Sequence, residues 1–395
     1  MLGGIDRQAL ISFTQELVRI PSVNRPAEGL TEYDAAMLVA EQMRSLGWSP
    51  VVEEAAPRRP NVFAILEGDR PGPTLLFEGH TDVVTEGAAA AWTRAPFGAE
   101  ISEGKLYGRG AADMKSGVAA MIHAAAAIAR EPFPGRLIVA ALADEEGMML
   151  GVKDFVRRGH AAGVDAAIVC EPEEREVCIS QKGAIRVRVL AQGQMAHGAM
   201  PQHGVNPIPP LGRFLAACGE LERELQAANG EHPYLGWDYI TPTAVSAGSW
   251  EQLNVIPDTA WALLDIRTTP RTDHAQLLER LRGRLEGGLD LEVIDERPPT
   301  QTAEDHPVVV AVVAAHERVY GQRPRFGGVP GTTDGTILWR DARIPIVTYG
   351  PGGKWIAHQV DEYVEVEELV RAAEVYVEAA RLFLSVGMES SSSRV

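Results

Sequence analysis

The stretch that most constrains the fold spans residues 75–84. An apolar run that ends at Gly79 is followed at once by His80 and, two positions later, by Asp82. This pattern predicts a buried strand with polar side chains at its carboxyl end, where open α/β sheets usually keep their chemistry. A neutral imidazole is a good zinc ligand, and an acid two residues away suits its other ring N–H. A turn histidine beside a solvated aspartate explains the pair equally well, so the rest of the chain has to decide.

Acidic residues follow two further predicted strands. Residues 136–143 form a buried apolar run that leads into the acidic triplet 144–146, and residues 165–170 lead into Glu171. Adjacent acids repel one another unless a positive charge lies nearby, which favours a metal ion over the alternative of a solvated loop. Because the strand ends share one edge of a sheet, we expect these acids to gather beside His80.

A glycine-rich segment at residues 107–117 carries another candidate ligand, Asp113. The segment is similar to a nucleotide-binding loop, but Asp113 stands where the last glycine of G-x-G-x-x-G is needed, and an acid there repels a phosphate. Asp113 therefore suits a cation. Aspartate is also a favoured helix cap, so an N-cap for the alanine-rich helix predicted at 118–129 is the structural alternative, and both roles are compatible.

Helical periodicity alternates with β-rich runs along the chain, which predicts an α/β fold with a helix-covered mixed sheet. Predicted helices span residues 6–19, 31–46, 118–129, 272–286, 305–320 and 365–384, with Asp305 as the cap of the helix at 305–320. A further predicted helix contains Phe214, Leu215, Leu221 and Leu225. From residue 182 apolar and charged residues alternate, as in a strand with one face in water, which indicates an inserted two-layer α+β domain. The predicted division is a main domain at 1–181 and 298–388, an inserted domain at 182–297 that closes in a hinge at 295–300, and a disordered tail at 389–395.

The composition excludes several classes of function. The chain has 395 residues and a formal net charge of −17, so it lacks the basic surface that a nucleic acid or an anionic membrane requires. Three cysteines without a C-x-x-C spacing indicate neither a disulfide framework nor a thiolate zinc site. No signal-peptide pattern and no membrane-spanning apolar run is present in the sequence, so we expect a cytoplasmic protein with a small-molecule substrate.

Six short motifs follow one another in an order that resembles one protein family. They lie at residues 79–82, 108–115, 144–146, 171–172, 196–197 and 357–358. The family is the co-catalytic zinc family of acetylornithine deacetylase, succinyl-diaminopimelate desuccinylase, glutamate carboxypeptidase and aminoacylase. The resemblance covers nearly the whole chain, and six motifs in sequence are far more specific than any one of them.

The resemblance implies two zinc ions per subunit. His80 and Glu171 would hold one ion, Glu146 and His358 would hold the other, and Asp113 would bridge them. Two ions about 3.5–4 Å apart lower the pKa of a bridging water and polarise the scissile carbonyl. Cobalt or manganese are possible substitutes for zinc, since both affinity and availability decide which ion is bound.

The resemblance also implies roles for residues around the ions. Asp82 would orient His80, and Glu145 would be the general base that takes the proton of the water and returns it to the leaving amine. The domain at 182–297 would be a lid and a homodimer interface, from which His197 would reach the partner's active site and stabilise the oxyanion. Without the resemblance, His197 is interpreted as a surface loop residue.

Four further positions resemble substrate contacts of the family. They are Arg267, Asn254, Thr333 and Gly331. A guanidinium suits bidentate capture of a carboxylate, which implies an N-acyl amino acid or a short peptide with a free carboxyl group as substrate. The alternative for Arg267 is a salt bridge at a strand end.

The prediction is therefore a zinc-dependent amidohydrolase of the deacetylase or desuccinylase type. A carboxypeptidase or dipeptidase of the same family is the first alternative, because the motifs do not define the pocket. A catalytically silent homologue that only binds metal or ligand is disfavoured, since Glu145 and all the candidate ligands are present. The broken glycine pattern argues against an NAD-binding enzyme.

Overall fold

The computed structural model describes residues 4–386, so the tail predicted at 389–395 lies outside the described residues. The chain forms two compact units. The first contains the residues up to Ile179, then Thr302–Gly327, then the residues from Thr333 onward, and the second contains Ser180–Gln301 and Gly328–Thr332. No helix between residues 4 and 386 is long and apolar enough to cross a membrane.

Helices and strands alternate along most of the described chain. The helices are α1 Arg7–Arg19, α2 Tyr33–Ser45, α3 Lys115–Ile128, α4 Leu150–Arg157, α5 Ile208–Asn229, α6 His274–Arg282, α7 Pro307–Tyr320, α8 Gly335–Ala342 and α9 Val366–Leu384. The strands are β1 Val51–Ala56, β2 Arg59–Glu67, β3 Arg70–His80, β4 Glu100–Ser102, β5 Lys105–Tyr107, β6 Pro134–Leu142, β7 Ala166–Val169, β8 Val177–Gln181, β9 Gly183–Gln192, β10 Ala196–His197, β11 Tyr239–Ala247, β12 Val255–Ile256, β13 Thr259–Thr268, β14 Leu289–Arg297, β15 Thr300–Gln301, β16 Phe326–Val329, β17 Ile346–Thr348 and β18 Tyr363–Glu365.

The first unit is built on a mixed sheet with the strand order β1-β2-β6-β3-β7-β17-β8. β3 is parallel to β6 and to β7, and β17 is parallel to β7. β2 is antiparallel to both β1 and β6, and β8 is antiparallel to β17. The carboxyl ends of β3, β6, β7 and β17 therefore lie at the same edge of the sheet.

Helices cover both faces of the central strand β3, as the apolar run predicts. Leu76 belongs to a buried core that includes Phe155 of α4 and Ile337 of α8. The next residue, Phe77, lies on the opposite face because side chains alternate along a strand, and its ring centroid is 5.4 Å from that of Tyr376 in α9. The predicted buried strand is therefore confirmed.

The second unit is a four-stranded antiparallel sheet, with the order β11-β13-β9-β14, covered by α5 and α6. Ile185, Val187 and Val189 of β9 are buried, whereas Arg188 between them is exposed. Phe214 of α5 packs into the same core. This confirms the two-layer α+β arrangement. The lid and dimer roles stay predictions.

Some local predictions are wrong. Helix α7 is capped by the side chain of His306, which accepts from the backbone N–H of Val308, and not by Asp305. Residues 295–297 of the predicted hinge belong to β14, where Asp295 pairs with Arg297 at 2.7 Å, and the hinge itself stays a prediction. Helices α4 and α8 and the strand β14 were not predicted. The alternating apolar and acidic residues at 289–293 were a signal for β14 that sequence reasoning missed, whereas α4 and α8, at eight residues each, are too short to show a clear helical period.

Candidate metal centre and active site

The candidate site lies at the carboxyl edge of the parallel strands of the first unit. His80 is the last residue of β3, residues 144–146 follow β6, and Glu171 follows β7. Asp113 comes from the loop before α3, and His358 comes from the loop after β17. The structure therefore brings these residues together from five separate segments.

His80 is buried, and both of its ring nitrogens have oxygen neighbours. Nδ1 donates to the main-chain oxygen of Asp82 at 2.9 Å, so Nε2 is the bare nitrogen of the neutral ring. Nε2 lies 3.1 Å from Oδ1 of Asp113 and 3.4 Å from Oε1 of Glu171. Burial alone would lower the pKa of His80, but these carboxylates raise it well above its ordinary value. The bare Nε2 atom and these carboxylate oxygens repel one another unless a proton or a cation lies between them.

His358 repeats this arrangement on the other side of Asp113. Its Nε2 atom lies 3.2 Å from Oδ2 of Asp113 and 2.9 Å from Oε1 of Glu146. Hydrogen bonds with these two carboxylates raise the pKa of His358 to about 11. The two oxygens of Asp113 thus face two different imidazoles. The pKa of Asp113, which burial would raise, is lowered by His358 and His80.

The carboxyl groups around the histidines destabilise one another when ionised. Burial, followed by repulsion from Asp113, raises the pKa of Glu171 to about 8. The same two causes, in the same order, raise the pKa of Glu146. Several acids buried within a few ångströms of one another favour a cation among them, because a cation restores the ionised form.

Glu145 is held by its backbone, and its side chain belongs to the candidate site. One oxygen of Asp82 accepts from the N–H of Glu145 and the other from the N–H of Glu146, both at 3.1 Å. One ligand atom each of His80, Glu145 and Glu171 lie within 4.8 Å of one another. Burial raises the pKa of Glu145 well above its ordinary value. Asp82 therefore positions the segment that carries Glu145. The carboxylate of Asp82 also lies 3.5 Å from Nδ1 of His80.

Asp144, the first acid of the triplet, pairs with Arg59 and Asn24. Its carboxylate pairs with Nη1 of Arg59 at 2.5 Å and accepts from Asn24 at 2.9 Å. Arg59 also pairs with Glu32 at 3.0 Å, and all three charged side chains are at most 5% exposed. Asn24 in turn donates to Asp82 at 2.7 Å. This network of buried hydrogen bonds and ion pairs holds the loop at 144–146 in place.

The N-cap alternative for Asp113 is wrong. The cap position of α3 is Met114, without a side-chain cap bond, and the carboxylate of Asp113 faces the two histidines instead. The next residue, Met114, packs against the end of β3, because a Cβ atom at Gly79 would lie 2.4 Å from its Cε atom. A larger residue at position 79 would force the methionine side chain to move.

Several buried residues near the site were missed by sequence reasoning. Glu362 and Arg109 form an ion pair, with side chains that are at most 2% exposed. Glu78 and Asp334 are a buried carboxyl pair, and burial raises the pKa of both, that of Glu78 to about 8. Two ionised carboxylates in contact repel, so this pair is expected to share a proton. In the sequence, the one signal of this pair was Glu78 itself, an acid inside the apolar run at 75–78.

Other predicted site residues have different surroundings. Thr333, in the first unit, is buried and accepts from the N–H of Gly335 at 3.2 Å. His197, Asn254, Arg267 and Gly331 lie in the second unit. Their predicted roles stay predictions.

The second-unit residues have local partners. His197 is exposed, and its Nδ1 accepts from the N–H of Ala199 at 3.0 Å. The main-chain oxygen of Asn254 accepts from the N–H of Gly198 at 2.6 Å. Arg267 makes two hydrogen bonds to Asp265, at 2.7 and 3.0 Å. The salt bridge foreseen as the alternative for Arg267 is therefore present.

Comparison with known proteins identifies the family. The model of peptidase family M20/M25/M40 matches residues 76–382, well over half of the chain. The chain belongs to this family. A succinyl-diaminopimelate desuccinylase from Rhodospirillum centenum is 33% identical to this M20 protein over 389 residues, which cover 93% of this chain and 95% of the relative. The M20 protein is thus a hydrolase that acts on amide bonds.

Solved structures agree with this assignment of the fold. An M20 family metallo-carboxypeptidase from Sulfolobus solfataricus has a TM-score of 0.79 with 21% identity, and the match covers 95% of this chain and 99% of that structure. A dinuclear metal binding peptidase of the M20 family from Bacillus subtilis has a TM-score of 0.70 with 18% identity, over 96% and 98% of the two chains. At these identities the likeness concerns the fold alone.

Proposed function

We propose that this M20 protein is a dinuclear zinc amidohydrolase that cleaves the amide bond of an N-acyl amino acid. The observation that carries the proposal is the position of Asp113, whose two oxygens face Nε2 atoms of two different histidines. Each of those nitrogens faces a second carboxylate, from Glu171 or from Glu146. One shared acid between two histidine–carboxylate pairs is a donor set for two ions.

The spacing of the donor atoms fits zinc. Two ligand atoms that each lie about 2.1 Å from one tetrahedral ion are about 3.4 Å apart. The Nε2 atom of His80 lies 3.4 Å from Glu171, and that of His358 lies 2.9 Å from Glu146. The first ion would therefore be held by His80 and Glu171, the second by His358 and Glu146, and Asp113 would be shared. Nitrogen and oxygen donors also accept cobalt or manganese, which are the proposed substitutes.

The chain's own residues supply the proton transfers. When bound, the ions would lower the pKa of the attacking water and polarise the substrate carbonyl. Glu145 would accept the proton of that water and return it to the leaving amine. Its raised pKa suits both steps, because burial makes the carboxylate a stronger base and the carboxylic acid a usable donor. The carboxylate of Asp82 would keep Glu145 in place, because it accepts a hydrogen bond from the backbone N–H of Glu145.

The proposed substrate is an N-succinyl or N-acetyl amino acid. The desuccinylase from Rhodospirillum centenum, similar over 93% of this chain, supports the succinyl group first. A substrate carboxylate would have to compete with Asp265 for the guanidinium of Arg267, since the two are paired. We therefore propose that the guanidinium of Arg267 releases the carboxylate of Asp265 when it binds the carboxylate of the substrate.

A homodimer through the second unit is the proposed assembly. β11 is an edge strand of its sheet, and Val245 on it is 63% exposed. Trp250 and Leu253, which follow β11, are 84% and 90% exposed. An open strand edge next to exposed apolar side chains supports pairing with a second copy. Sedimentation of the wild type and of Val245→Lys tests this: we expect a dimer that the lysine weakens, and a wild-type monomer would contradict it.

The experiment that tests the catalytic proposal combines metal analysis with turnover. Zinc-loaded protein is given N-succinyl, N-acetyl and dipeptide substrates, and bound zinc is measured by mass spectrometry. We expect two zinc ions per chain and turnover of an acyl amino acid. Glu145→Gln should lower kcat by about 10²–10⁴ while both ions remain bound. Glu279→Gln, an exposed glutamate in α6, is the matched control with unchanged kcat.

The outcomes separate the parts of the proposal. Hydrolysis of dipeptides alone would replace the deacylase with a peptidase. Full activity of Glu145→Gln would exclude Glu145 as the base. One zinc ion per chain, or none, would refute the dinuclear centre. His358→Ala is expected to bind one ion in place of two, because it leaves His80 and Glu171 intact.

A further inference from the structure

The loop at residues 108–113 carries the proposed shared ligand, yet it belongs to no helix or strand. Such a loop needs partners for its backbone N–H groups, and Glu362 accepts from three of them. The main-chain oxygen of Glu362 accepts from the N–H of Gly108 at 2.8 Å. Its Oε1 atom accepts from the N–H of Ala112 at 2.9 Å and from that of Asp113 at 3.0 Å. Three backbone N–H groups of the loop therefore donate to one glutamate.

Arg109 connects this loop to the other proposed ligand segment. Its Nη1 atom pairs with Oε2 of Glu362, and its Nη2 atom donates to the main-chain oxygen of His358 at 3.1 Å. His358 has a φ of +65°, an uncommon conformation for a residue other than glycine. One guanidinium thus contacts both the acid that holds Asp113 and the backbone of His358.

We propose that Glu362 and Arg109 are positioning residues that set the distance between Asp113 and His358 and so determine the affinity for the second of the two ions. This inference rests on the proposed dinuclear function. The first ion depends less on the pair, because Nδ1 of His80 is held by Asp82 and Glu171 lies two residues after the end of β7. The second ion depends on two loops, and this pair of side chains links the backbone of one, at Ala112 and Asp113, to the backbone of the other, at His358.

The two side chains suit this task because they are buried. Glu362 is 0% exposed and Arg109 is 2% exposed, so their hydrogen bonds do not compete with bulk water. A guanidinium is planar and always charged, and it can donate to two acceptors at a fixed angle. Lysine offers a single charged nitrogen and cannot hold both acceptors in the same geometry. The conservative exchange Arg109→Lys is therefore a sensitive probe.

Zinc titration of chelated protein by calorimetry tests the inference. For wild type we expect two binding steps. For Glu362→Gln and for Arg109→Lys the weaker step should lose about 10–100-fold in affinity, as is usual when a residue that orients a ligand is replaced, while the tighter step changes little. Arg297→Lys is the matched control, since Arg297 is a buried arginine paired with an acid in the second unit. Its two binding steps should equal those of wild type.

The possible failures are distinguishable. If wild type binds fewer than two ions, the proposed dinuclear function fails. If wild type binds two and both variants bind them with unchanged affinity, the positioning role fails and the function stands. If both steps weaken equally, the pair is merely structural and the inference is also refuted.

A second measurement uses wild type alone, in case the variants do not fold. Amide hydrogen exchange of the chelated protein should show protected N–H groups at Ala112 and Asp113, although both lie outside any helix or strand. Exchange at the rate of an open loop would overturn the inference.

Discussion

Replacement of His123 should reduce the loss of stability that acid causes. The imidazole lies in α3, is 7% exposed, and its ring centroid is 5.9 Å from that of Phe13. Its Nε2 atom has no hydrogen-bond partner among the described residues. Burial lowers the pKa of His123 to about 4, although Asp6 raises it slightly. The folded protein therefore keeps this ring neutral at a pH where an unfolded chain protonates it.

The size of the effect follows from the two pKa values. An unfolded histidine has a pKa of about 6.5, so between pH 6.5 and 4 the unfolded state binds more protons than the folded state. Stability then falls as the pH falls. With a folded pKa of about 4, the contribution of His123 drops by about 2 kcal/mol from pH 7 to pH 5 and by about 3 kcal/mol at pH 4.

Urea denaturation at pH 7 and pH 5, with a chelator present, measures this difference. His123→Leu removes the titrating ring and keeps an apolar side chain of similar size. We expect wild type to lose about 2 kcal/mol more than His123→Leu between the two pH values. His203→Gln, at an exposed histidine of the second unit, should behave as wild type. Equal losses for wild type and His123→Leu would refute the reasoning.

Four further substitutions, one of them a control, test packing and buried charge by denaturation. Arg59→Met leaves two buried carboxylates without their cation and should cost about 3–5 kcal/mol, measured in urea at pH 8; a cost below 1 kcal/mol would contradict this. Gly117→Ala would place a Cβ atom 2.0 Å from the main-chain oxygen of Cys170 and should lower Tm. Its control is Gly212→Ala in α5, where the new Cβ atom meets nothing within 4 Å and should raise Tm slightly. A Tm shift of the same sign in both variants would contradict this prediction. Leu76→Ala, at 0% exposure, should cost about 2–5 kcal/mol, and a loss typical of a surface site would show that the core collapses around it.

Elements with regular periodicity were predictable from the sequence. The strand that ends at His80 has a continuous apolar run, and α1 begins after Asp6, whose side chain accepts from the N–H of Ala9. Such signals are local, so a single segment carries all the information that they require.

The supporting residues of the site could not be predicted in this way. Glu362 lies about 250 positions from the loop that it holds, and sequence alone does not show that an acid this far along the chain becomes fully buried. Asp144 is a second case. The acidic triplet 144–146 as a whole suggested a metal ion, but Asp144 itself pairs with Arg59, which lies 85 positions earlier. Long-range ion pairs leave no periodic pattern.

The position of β17 has a consequence for the order in which the protein is made. β7 and β8 are consecutive strands in the chain, yet β17 lies between them in the sheet and is synthesised more than 160 residues later. A ribosome that has reached Gln301 has produced neither this strand nor His358 and Glu362. Chains fold from the amino terminus during synthesis, so β17 joins the sheet late and the proposed metal centre is completed last. A nascent chain that has not reached these residues would therefore lack part of the proposed centre.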